Sequence, residues 1–196
     1  MGLSQDTIAE KCRFHAETAL DLDDTNPVVH AYASMAFGFS PLAEKERGLK
    51  HSSIAATLNP NDCELMLLHA WQLAFAGNHE QAIALLRRVS LLNPLGDYMI
   101  AECFADTYYM MGDYEKALES YNDQGDAPPQ SQAVFAACHA QMGRLDEAHA
   151  CLLHLYNVKP VGFDVEAFVA AQCITCLRED DRNNWLNGFR RAGVDI

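Results

Sequence analysis

The chain has 196 residues, 49% of them hydrophobic, with 11 Gly and 7 Pro, enough apolar matter for a sizeable core or a short stacked array and too little Gly and Pro for disorder. Its formal charge of −13 repels phosphate backbones and anionic head groups, which argues against nucleic acid or a membrane surface as a direct partner. No apolar run approaches the roughly 18 residues a membrane-spanning helix needs.

The start, MGLSQDTIAEK, lacks the basic and apolar regions of a signal peptide, so a soluble, cytoplasmic chain is expected. Gly2 invites a lipid reading, but Asp6 stands where the acylation signal wants Ser or Thr. A first helix is predicted over residues 5–22, with Ala9, Cys12, Ala16, Ala19 and Leu20 on its apolar face. Asp21, Asp23 and Asp24 follow without the glycine and terminal glutamate of a calcium loop and read as a solvated helix end.

From there the punctuation repeats. Prolines at 27, 60, 94, 129 and 160 recur every 31 to 35 residues, and between them lie paired apolar-periodic stretches. Three of the turns read nearly alike: GNHEQA at 77–82, GDYEKA at 112–117 and GRLDEA at 143–148. Gly77, Gly112 and Gly143 sit where a left-handed residue closes a helix, and Ala82, Ala117 and Ala148 sit where a small side chain lets two helices approach. Gly48, Ser52 and Pro60 keep the same spacing with weaker residue types. Helical hairpins are therefore predicted at 28–58, 62–92, 96–123 and 129–156, with a last pair at 163–192.

Ala101, Phe104, Ala105, Tyr108, Gly112, Tyr114, Ala117, Tyr121 and Pro129 form the best unit, and on it the sequence resembles the tetratricopeptide repeat family. The pattern's first-helix tryptophan is replaced by Met66 and Ala101, and Gly112 to Gly143 is three residues short of the 34-residue period. The resemblance implies an all-α, right-handed solenoid of about five hairpins and eleven helices spanning 1–196 as one domain. Residues 1–27 would be a leading half-repeat, 28–160 four repeats and 161–196 a terminal pair. A chain opening on half a unit is expected to be a piece of a longer protein.

In that family the first helices line a concave groove, which by repeat register would present His30, Phe37, Glu64, Trp71, Glu102, Asp106 and Tyr109. All 14 Lys and Arg lie outside the first helices, so the basic set with which related domains hold acidic peptides is missing. The resemblance implies a protein or peptide partner that is apolar or basic rather than acidic. A homodimer through terminal helices is a further expectation.

Enzyme signatures are absent: there is no phosphate-binding loop, nucleophile elbow or His-Glu-x2-His, and any catalysis would lie in sequence outside this chain. No catalytic residue, metal ligand or cofactor is expected. Seven scattered cysteines suit a reducing compartment, and the lone Cys173-x2-Cys176 falls in an apolar helical stretch where such residues pack as small hydrophobes. A metal-, redox- or small-molecule-responsive regulator using Cys and His is the alternative. The tail, with Trp185, Gly188, Arg190, Arg191, Ala192 and Gly193, resembles the end of bacterial class III nucleotide cyclases that carry such repeats, and similar repeats follow winged-helix regulators. The expected role is thus an interaction scaffold, the C-terminal regulatory or assembly region of a bacterial signalling protein.

Overall fold

The computed structural model describes residues 5–38, 44–96, 98–121 and 128–196, and among them it is all-α, with eleven helices and no strand. In chain order these are α1 (Gln5–Leu22), α2 (Pro27–Gly38), α3 (Lys45–Leu58), α4 (Cys63–Phe75), α5 (His79–Leu92), α6 (Tyr98–Met110), α7 (Tyr114–Glu119), α8 (Ser131–Gln141), α9 (Leu145–Val158), α10 (Val165–Thr175) and α11 (Glu179–Ala192). α2 packs on α3, α4 on α5, α6 on α7 and α8 on α9, the partners expected between 28 and 156. α7 stops at Glu119, before the expected 123, and residues 122–127 lie outside the described set.

The repeated turn has a direct backbone explanation. Gly77, Gly112 and Gly143 take φ of 85°, 81° and 78°, which a side chain resists. The next amide then reaches back to an orphan carbonyl near the helix end: Asn78 N–H to Leu73 O, Asp113 N–H to Tyr108 O and Arg144 N–H to His139 O, at 2.8–2.9 Å. Asp62, Asp113 and Asp164 cap α4, α7 and α10 with side-chain carboxylates that accept backbone N–H bonds. Helix ends at Asn59, Asn93 and Lys159 stand just ahead of prolines, which cannot continue the ladder. Ala82, Ala117 and Ala148 are each at most 1% exposed, pressed into their hairpins.

The chain divides into two compact units, Met1–Asn93 and Pro94–Ile196. In the first, α1 lays Ala16 and Leu20 on Ala33 and Phe37 of α2, so its small-residue face is used within the chain. Ala31, Ala55, Leu65 and Leu68 join α2, α3 and α4, and the Gln72 amide donates to Ser34 O at 3.0 Å. The α2–α3 contact is backbone on backbone: a Cβ built on Gly48 would stand 2.6 Å from Gly38 Cα. Arg47 covers Phe37, its guanidinium 3.8 Å from the ring centroid, and pairs with Glu44 and Glu17 to link α3 to α1.

In the second unit, α6 and α7 close over Ala101, Ala105 and Tyr121, with Phe135 of α8 packed edge-on against Tyr121. α8 and α9 form the next hairpin around Ala148, Leu152 and Leu155. The last pair departs from a simple further hairpin. α11 packs more extensively on α8 than on α10 and also reaches α6 and α9. Its Trp185 and Phe189 are fully buried, as is Ala192, and Gly193 closes it in the left-handed conformation at φ 102°.

Gly48→Ala tests the hairpin contact. In an exposed helix interior this exchange stabilises by about 0.5–1 kcal/mol, but overpacking at Gly38 should instead destabilise by about 1–3 kcal/mol in urea unfolding. A gain in stability would show that α2 and α3 do not touch there.

Candidate functional site

The seven groove residues expected from repeat register fall into different environments. Glu64 is exposed and Trp71 and Glu102 are half-buried. His30, Phe37, Asp106 and Tyr109 are at most 5% exposed, so as placed they do not line an open surface. Two separate physical causes account for this correction.

In the first unit the cause is packing against neighbouring elements. His30 turns to α3 and the α1–α2 turn, bonding His51 and Asp24 O, and Phe37 turns to α1 and Arg47. The residue that α2 presents beside α4 is Tyr32, 58% exposed, whose hydroxyl donates to Glu64 Oε1 at 2.9 Å. That carboxylate holds the Tyr32 hydroxyl above its ordinary range. Tyr32 was not among the residues expected from repeat register, and the spacing alone does not single it out. Neither α2 nor α4 carries a Lys or Arg.

In the second unit the cause is an occupant from the same chain. Trp185 of α11 stacks on Tyr109, ring centroids 3.7 Å apart and planes 13° from parallel, and on Phe189 at 5.3 Å. Asn184 completes the grip. Its amide donates to Tyr109 O at 2.9 Å, its side-chain oxygen accepts from Tyr114 and Gln141, and its backbone carbonyl accepts from Tyr109 and Gln141. A Cβ on Gly188 would collide with the Tyr109 hydroxyl and stand 3.3 Å from Ala137 Cβ, so only glycine lets α11 lie this close. α10 contributes as well, with Gln172 donating to Asp106 at 3.3 Å and Cys176 Sγ against Met110 Sδ at 3.8 Å.

Burial shapes the chemistry that remains. Desolvation raises the Glu102 carboxyl to about 7, into the range where it exchanges protons near neutrality. The Cys173 thiol is pushed up to about 11 and Cys103 and Cys138 are also raised, all chiefly by burial, which works against thiolate reactivity. Cys176 stands at the end of α10 rather than within it, fully buried. Among the described residues no group of three or more His, Cys, Asp or Glu is placed to hold a metal ion. No described helix is long and apolar enough to cross a membrane. Neither a protein-family model nor a curated protein sequence matches the chain.

Because Glu102 has a folded-state value above the unfolded one, the folded state holds the extra proton. Its stabilisation is full below about 4.5 and is lost as pH rises through about 7. Glu102→Gln should therefore flatten the decline in melting temperature between pH 5 and 8, measured by thermal denaturation. Equal slopes in the two proteins would refute the buried-carboxyl assignment.

Proposed function

We propose that the chain is a tetratricopeptide-type interaction module whose docking surface lies on the first-helix side of the first unit. It takes a polypeptide segment with Lys or Arg beside an aromatic or aliphatic residue. The observation that carries the reading is the exposed Tyr32–Glu64 pair bridging α2 and α4, on helices that hold no cation and include half-buried Trp71. An exposed aromatic beside a carboxylate offers an apolar platform and a charge for a basic segment. The chain's net charge of −13 favours the same partner at long range. The corresponding first-helix surface of the second unit is excluded from the proposal because α11 covers Tyr109.

A regulatory or assembly role within a bacterial signalling protein, cyclase or winged-helix, extends this proposal and rests on the tail resemblance alone. The tail residues that carry the resemblance also have packing duties: Trp185, Gly188, Phe189 and Ala192 are buried, and Gly193 ends α11. The alternative of a Cys- or His-based metal, redox or small-molecule sensor draws no support from the raised thiols of Cys103, Cys138 and Cys173.

An array of peptides carrying Lys or Arg beside aromatic or aliphatic residues, matched with Asp and Glu versions of the same peptides, tests the reading. Binding should favour the basic set and fall at least tenfold in the Tyr32→Ala, Glu64→Gln double variant, with the melting temperature unchanged. Preference for the acidic set, or equal binding by the double variant, would overturn it.

A further inference from the structure

The first unit contains a histidine pair, one ring buried and the other half-buried, that the docking surface does not use. His30 of α2 is 5% exposed, and its ring meets that of His51 of α3 edge to edge, the centroids 5.1 Å apart and the planes 26° from parallel. Their Nδ1 atoms lie 2.8 Å from each other, and His30 Nε2 lies 2.7 Å from Asp24 O. These distances fix the protons by elimination. A carbonyl only accepts, so His30 Nε2 carries a hydrogen. In the neutral pair His30 Nδ1 is then a bare lone pair, and His51 must donate its Nδ1–H to it. The remaining basic nitrogen is His51 Nε2, on the half-buried ring.

We propose that His30 and His51 form an acid-sensitive latch between α2 and α3, which takes up one proton with its Nδ1–Nδ1 hydrogen bond intact and parts on taking up a second. The first proton comes from solvent to His51 Nε2, leaving His51 Nδ1–H to donate to His30 in a charge-assisted bond. A second proton can enter only at His30 Nδ1, whose lone pair already accepts that bond. Two N–H groups would then face each other 2.8 Å apart between two cationic rings, and the contact must open.

The surroundings resist even the first step. Arg47 and Lys50 of α3 add positive charge near His51, while Phe37 of α2 lies 5.5 Å from its ring. Glu17 of α1 and Glu44 are engaged with Arg47 rather than with the imidazoles. On α4, His69 Nδ1 lies 2.9 Å from Ser52 Oγ of α3. Burial, His30 and the two cations together hold His51 below the ordinary histidine range. Because that value is depressed in the folded state, neutral His51 stabilises the unit, and this contribution is complete above about 6.5 and is lost as pH falls below it.

The test is a two-bond proton–nitrogen NMR titration of the full chain from pH 8 to 4.5, with Gln variants assigning the two rings. His51 Nε2 should titrate with a midpoint below 6.5. At pH 8 the neutral pair should carry its hydrogens on His30 Nε2 and His51 Nδ1. Independent titration of both rings near the ordinary histidine value, or protonation of His30 Nδ1 before His51 Nε2, would overturn the proposal. His51→Gln supplies an amide donor that does not titrate. It should melt with less loss on acidification from pH 7 to 5 than the unaltered chain, and an undiminished loss would also overturn it.

Discussion

Close approach of helix backbones at small residues is the constraint on which this molecule depends. Hairpins this short bury their apolar stripes only if the paired helices lie near each other. Ala82, Ala117 and Ala148 provide that clearance, and Gly48 set against Gly38 provides it at α2–α3, where no side chain intervenes. The left-handed glycines and the prolines serve the same end, returning the chain in three residues and then stopping the second helix.

The same economy of small residues governs the second unit, with a different outcome. Ala133, Ala136, Ala137 and Ala140 make α8 narrow, and Gly188 makes α11 narrow where it meets Tyr109 and Ala137. Into that space go two large rings from α11. Burying Trp185 and Phe189 is worth about 1.5–3 kcal/mol each at the usual apolar-area value, and the stack on Tyr109 adds about 0.5–1.5 kcal/mol. Asn184 meets Tyr109 O and the hydroxyls of Tyr109 and Tyr114 beside the stack, while the buried Trp185 indole N–H has no hydrogen-bond partner among the described residues. A terminal helix held in this way is part of the unit's core, and the surface it covers is removed from partner binding.

What the sequence disclosed was local. The turn glycines, the hairpin alanines and the chain-stopping prolines act within a few residues of where they stand, so the helix pairs were legible from spacing. Trp185 and Phe189 could also be read as packing a terminal amphipathic helix, since they lie four apart. Their target could not be, because Tyr109 lies 76 residues earlier and nothing in either segment names the other. Register failed at α2 for another reason. His30 and Phe37 meet partners on α3, on α1 and in the α1–α2 turn, contacts that spacing within one hairpin does not encode, and Tyr32 was left unnoticed.

Amide hydrogen exchange of α11, compared with α6 and α8, measures the central claim most directly. If the terminal helix belongs to the core of its unit, its amides exchange as slowly as those of α6 and α8 and open together with them. Fast exchange throughout α11 while α6 and α8 remain protected would contradict it, and would return Tyr109 and Asp106 to an open surface.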